Sequence, residues 1–174
     1  MPHARFALPT ALPPSWRRPS ADGTDLDVEL FPSVLMLGAA TLVQRQLVRP
    51  LLEGFGIGVA EWRVLISLHR FGPASSADIV NRSWMDKAQI SRAVVQLERQ
   101  RCLLRSSDPA HGERQILSLT PRGRALYQRV MVLARQQQAQ LLGLLTEGER
   151  KALYAGLQKI LRYAGGPAAA DGPD

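Results

Sequence analysis

Residues 86–100 read DKAQISRAVVQLERQ, a stretch whose polar side chains are suited to reading a hydrogen-bonding edge rather than to breaking bonds. At about 100° per residue, Ile90, Val94 and Leu97 form one stripe that must pack, while Ala88, Gln89, Arg92, Gln96 and Arg99 spread over the opposite side. Solvated helix faces are mostly Glu and Lys pairs four residues apart; this one offers amides and guanidinium groups, which make bidentate hydrogen bonds to base edges. Arginine suits guanine O6 and N7 and glutamine suits adenine N6 and N7, so Gln89, Arg92 and Gln96 are the candidate base readers. Lys87 has the reach and charge for phosphate, and Ser91 suits either partner. By themselves these residues also fit an ordinary solvent-facing helix.

Other chemistries find no residues to support them. There is no G-x-S-x-G, and the histidines at 3, 69 and 111 share no spacing, so no nucleophile has an evident base and no enzyme is expected. One cysteine and three scattered histidines do not make a metal-ligand set, and no cofactor is expected. Gly54, Gly56 and Gly58 follow no strand and precede no Lys-Ser or Lys-Thr, which argues against a phosphate loop. Cys102, beside Leu103 and Leu104, reads as an inert buried thiol rather than a redox sensor.

The 174 residues suffice for one ordinary domain or two small ones without disulfides or a structural metal. A net charge of +7, with arginine outnumbering lysine, suits phosphate or another acidic surface. No apolar run approaches the roughly 20 residues that cross a bilayer, and prolines and arginines interrupt the N-terminus where a signal peptide needs an apolar core. A cytoplasmic protein without membrane contact is the expectation.

The elements that position the 86–100 stretch are mostly helical. Residues 1–24, rich in proline and arginine, read as a flexible basic arm, and 165–174 as a disordered tail. A helix is expected over 27–48, with Val28, Phe31, Leu35, Ala39, Leu42 and Val43 in register, then a glycine-rich break. VAEWRVLISLHRFG forms the next helix, with Trp62, Leu65, Ile66 and His69 toward one side. SSADIVNRS follows as a short helix capped by Ser75 or Ser76, with Ala77, Ile79 and Val80 inward. Asp86 and Gln89 resemble a capping box at the start of the outward-facing helix, which completes a helix-turn-helix. LLRSS and RQILSL, joined by DPAHGE, read as a β-hairpin with Leu117 and Leu119 facing the core. Thr120 and Pro121 open a long helix with Leu126, Val130, Leu133, Gln137 and Leu141 on one stripe. TEGE at 146–149 is a capping box for a last helix carrying Leu153, Leu157, Ile160 and Leu161. These long apolar stripes exceed what one small winged domain needs, which points to a homodimer.

The order helix, helix, helix-turn-helix, wing, long helix, terminal helix over residues 27–164 resembles the MarR family of winged-helix regulators, carried by EWRVLISL, MDKAQISRAVVQLE and DPAHGERQILSLTPRGRAL. The resemblance implies a mainly α fold with a small β-hairpin wing. Residues 58–120 would be the winged helix-turn-helix DNA-binding domain, and 27–57 with 121–164 the helical dimerisation region. It implies a homodimer on a pseudo-palindromic DNA operator, with helix 87–100 in the major groove and the hairpin tip, through His111 and Arg114, at the minor groove. It further implies an inducible repressor released by a small molecule such as an aromatic acid or its thioester, with Arg45, Arg49, Arg63 and His69 as candidate cations of the ligand pocket. The chain departs from the family at the wing tip, where His111-Gly112-Glu113-Arg114 stands for a more basic sequence. Arg101 replaces the usual helix-ending glycine, removing the easy left-handed cap, and Trp84, in the turn, reads as a lid over the junction. The alternative to a DNA-binding regulator is a helical assembly module, which would lack the salt dependence of phosphate binding.

Overall fold

The computed structural model describes residues 8–83, 85–107 and 115–165, and the chain divides into two compact units, 1–50 and 51–174. In the first unit, one helical turn, α1 (Pro14–Arg17), lies within the arm expected to lack structure. Trp16 holds it: the indole Nε1 donates to the Leu30 carbonyl at 2.9 Å, giving the ring's one donor a partner. The turn that follows is closed by carboxylates, Asp22 accepting from the Thr24 amide and Asp25 from the Ser20 amide.

The helix expected from residue 27 starts later. Val28–Leu30 is a single 3-10 turn capped by Asp27, and Phe31 is extended because the ring of a following proline excludes the helical conformation. Pro32 then takes the first position of α2 (Pro32–Val43), where its missing N–H costs nothing. Gln44–Val48 widens into a π-type turn before α3 (Arg49–Glu53). Although α2 is almost wholly apolar, none of its residues is buried within the single chain.

The second unit holds the core. Its helices are α4 (Val59–Phe71), α5 (Ser76–Arg82) and α6 (Lys87–Arg99), followed by strands β1 (Leu103–Ser107) and β2 (Gln115–Leu119) and the helices α7 (Pro121–Gly143) and α8 (Glu147–Tyr163). The start signals act as expected in four places. Ser75 caps α5 reciprocally with Asp78, and Thr120 caps α7 by accepting from Gly123 N at 3.0 Å. Thr146 and Glu149 form the capping box of α8, and Asp86 caps α6 by accepting from Gln89 N at 2.8 Å. At α6 the described hydrogen bonds include only this half of the reciprocal pair expected of Asp86 and Gln89.

The antiparallel hairpin pairs Leu103 with Leu119 and Arg105 with Leu117, and Ala74 bridges to Leu117, which ties the hairpin to the chain before α5. Leu65, Ile79, Ile90, Leu97 and Leu117 are fully buried where α4, α5, α6 and the hairpin meet. One expectation for these helices needs correction. Ala77 is exposed, leaving Ile79 as the buried residue of α5. On α7 only Gly123 and Val130 are buried, with Leu133 40% exposed, because the outer half of the helix extends past the core of its own chain.

Candidate nucleic-acid interface

The α6 helix separates its two faces cleanly. Ile90, Ala93, Val94 and Leu97 are buried, whereas Lys87, Ala88, Gln89, Ser91, Arg92, Gln96 and Arg99 are all exposed. The buried stripe packs on α4 and α5, so the polar face is presented outward by a helix whose roll the core fixes. Ser91, Arg92, Gln96 and Arg99 line a groove of about 640 Å³ whose other wall is the segment from Gly56 to Glu61. The Glu61 carboxylate in that wall is occupied locally, accepting from Gly58 N at 3.0 Å. Val95 stands among the polar groups, 42% exposed, an apolar contact of the kind that fits a thymine methyl. Sequence reading passed over Val95, although its spacing of three from Arg92 and four from Arg99 puts it on their face.

The end of α6 is anchored at several points. Gln100 Nε2 donates to the Gly56 carbonyl at 2.8 Å, and Cys102 N closes on the Leu97 carbonyl at 2.8 Å. Arg101 takes the left-handed conformation, φ 59°, in place of the glycine expected there. The cap therefore forms despite the side chain, at the steric cost that a β-carbon carries in this region. Thr120 Oγ1 donates to the Arg101 carbonyl at 2.8 Å, which fixes that turn from the other side. Burial pushes the Cys102 thiol up, opposed in part by the neighbouring Arg122 guanidinium, which disfavours the reactive thiolate.

His111, Arg114 and Trp84 lie outside the described residues. Arg45 and Arg49 are exposed in the first unit, and Arg63 and His69 are exposed on α4 in the second. His69 stacks on Tyr127 at 3.8 Å between ring centroids, and Trp62 stacks on the same ring at 5.4 Å. Arg63, one position beyond Trp62, points to another side of the helix, about 100° away. Among the described residues, no three His, Cys, Asp or Glu gather as a metal site, and no helix is long and apolar enough to cross a membrane.

The buried-stripe helix with its arginine and glutamine face, and the strand β1 that follows it, fall within residues 55–112, which match the MarR family model. Over this segment, a third of its length, the chain is similar to the MarR family. It is similar to the HTH-type transcriptional repressor NicR of Pseudomonas putida, 32% identical over 97 residues, which are 56% of this chain and 61% of that one. The chain thus spans about three-fifths of that relative's length. Among solved structures it resembles Bordetella bronchiseptica BpsR, described in terms of regulation of DNA binding by 6-hydroxynicotinic acid, at a TM-score of 0.64 and 27% identity over 72% of this chain and 96% of that one. A probable transcriptional regulator from Pseudomonas aeruginosa matches at a TM-score of 0.65 and 26% identity, over 77% and 99%. In a winged-helix fold α6 stands at the position of the recognition helix and the β1–β2 hairpin at that of the wing.

Proposed function

We propose that the protein is a DNA-binding transcriptional regulator that acts as a homodimer on a pseudo-palindromic operator. Residues 58–120 serve as its DNA-binding domain, and 27–57 with 121–164 as its dimerisation region. The observation that carries the reading is the outward face of α6, where Gln89, Arg92 and Gln96 are exposed over a fully buried stripe. In the major groove Arg92 pairs with guanine and the glutamines with adenine, while Lys87, Ser91 and Arg99 hold phosphates and Ala88 allows close approach. His111 and Arg114 extend the contact to the minor groove through the wing. Dimerisation is supported by exposed apolar residues that no single chain covers: Leu37 and Leu42 on α2, and Leu153, Leu157, Ile160 and Leu161 on α8. Two-fold symmetry then sets two recognition helices on successive major-groove turns.

The regulator is a repressor relieved by a small organic acid. Support comes from the relative named as a repressor and from the neighbour whose DNA binding is regulated by 6-hydroxynicotinic acid. Arg45, Arg49, Arg63 and His69 are the candidate partners for the acid's carboxylate. A ligand that favours dimers with misplaced recognition helices shifts the population away from DNA. The test is selection of duplexes from a randomised pool by the purified protein, followed by titration at several salt concentrations. The reading expects a palindromic consensus and an affinity that falls steeply with salt, whereas no enrichment and no salt dependence would favour an assembly module.

A further inference from the structure

The recognition helix and the wing are separate elements, and three residues, Gln100 to Cys102, join them. The core holds β2 as far as Leu117, which bridges to Ala74, but holds β1 only at its root. Leu103 is 3% exposed, whereas Leu104, Arg105, Ser106 and Ser107 are all exposed. Arg105 shares a strand face with buried Leu103, two positions away, so it leaves the sheet on the core side just where the core ends. There it meets Glu98 in a two-pronged ion pair, Nε to Oε1 at 2.9 Å and a terminal guanidinium nitrogen to Oε2 at 3.0 Å. Among the described residues this is the only side-chain hydrogen bonding between β1 and α6. The hydrogen bond to Glu98 also raises the pKa of the Arg105 guanidinium.

The position of Glu98 is informative. It lies in the last turn of α6, the end at which the helix dipole disfavours a carboxylate. The side chains of Arg105 and Glu98 are 41% and 29% exposed, and ion pairs so open to solvent add little to folding. What a planar, bidentate pair supplies is direction, because both prongs are satisfied in one relative orientation of the two groups. We propose that Glu98 and Arg105 are positioning residues that set the angle of the wing to the recognition helix, so that both reach DNA in register. Neither side chain contacts DNA: the carboxylate occupies the guanidinium and keeps it from wandering to a phosphate. This role rests on the DNA-binding reading above.

The test uses the full chain and a duplex selected from a random pool by the wild-type protein. Glu98→Gln and Arg105→Gln should each weaken binding by about fivefold, the factor matching the upper end of an exposed pair's strength. The Glu98→Gln/Arg105→Gln double variant should lose no more than either alone, and the exchange Glu98→Arg/Arg105→Glu should recover most of the loss. Hydroxyl-radical protection in the flanking minor groove should fall while protection of guanine N7 in the major groove persists, a split that simple destabilisation does not produce. In the protein without DNA, a spin label on Ser107→Cys in a Cys102→Ala background should become more mobile when Glu98→Gln is added. Additive losses, equal loss of protection in both grooves, or unchanged affinity would overturn the proposal. If the wild-type protein selects no duplex, the DNA-binding reading fails, and the spin label alone decides whether the pair holds the wing; unchanged mobility would then refute it.

Discussion

Gly123 sits three residues into α7, where its amide donates to the Thr120 cap at 3.0 Å. A β-carbon placed there would lie 2.1 Å from the Cys102 carbonyl oxygen, 3.0 Å from its carbon and 3.3 Å from Leu119 Cδ2. The carbonyl cannot easily retreat, because it accepts from Thr120 N at 3.1 Å while Cys102 N is held by the Leu97 carbonyl at 2.8 Å. Overpacking of this kind costs about 1–3 kcal/mol, and a clash with backbone belongs at the upper end. Alanine returns up to about 1 kcal/mol through its helix propensity, so Gly123→Ala should destabilise by about 2 kcal/mol, roughly a thirtyfold fall in the folding constant. Gly143, at the exposed end of the same helix, has nothing within 4 Å of a built β-carbon. The same substitution there should be neutral or stabilise by up to about 1 kcal/mol. Urea denaturation of both variants at one fixed protein concentration makes the comparison, since association adds to apparent stability. Equal midpoints for Gly123→Ala and wild type would refute the close approach of α7 to the turn that ends α6.

Arg101→Gly should raise stability by about 0.5–1 kcal/mol in the same assay, because relief of the left-handed strain exceeds the added freedom of the unfolded chain; a loss would show that the turn is not strained. Leu157→Lys on the exposed stripe of α8 should yield monomers by sedimentation at micromolar concentration, since a lysine buried there would have no partner; an unchanged dimer would remove α8 from the interface. Cys102, 1% exposed and with its thiol pKa raised by burial, should react with iodoacetamide at pH 8 far more slowly in the native protein than in urea, and equal rates would mean that the junction opens freely.

Much of this fold was legible where the signal is local. Ser75, Asp86, Thr120 and Thr146 mark their helix starts because a side-chain oxygen three residues ahead of a bare amide is a short-range interaction. The stripe of Ile90, Val94 and Leu97 was equally readable, and with it the outward face, because a 3.6-residue period needs no knowledge of the partner. The start of the helix at Pro32 was missed because apolar spacing runs through Val28 and Phe31 and outweighed the restriction that proline places on its predecessor. The turn at Pro14–Arg17 depends on Trp16 reaching Leu30, fourteen positions on, and no local pattern announces such a contact. Arg101 shows a different failure: the sequence argued against a left-handed cap, yet Thr120 and the closure of Cys102 onto Leu97 impose it. The Glu98–Arg105 pair had one visible clue, an acid at the wrong end of a helix, but its partner lies on a strand whose facing direction depends on the hairpin register.

The central claim is that the exposed face of α6 reads base edges, and the most direct measurement compares Arg92→Ala and Lys87→Ala on a selected operator and on random duplex at one salt concentration. Arg92→Ala should lose about 1–3 kcal/mol on the operator and much less on random DNA, as a bidentate base contact does. Lys87→Ala should weaken binding to both duplexes alike, as a phosphate contact does. Equal losses on both duplexes for Arg92→Ala, or none on either, would contradict the assignment of this face to sequence recognition.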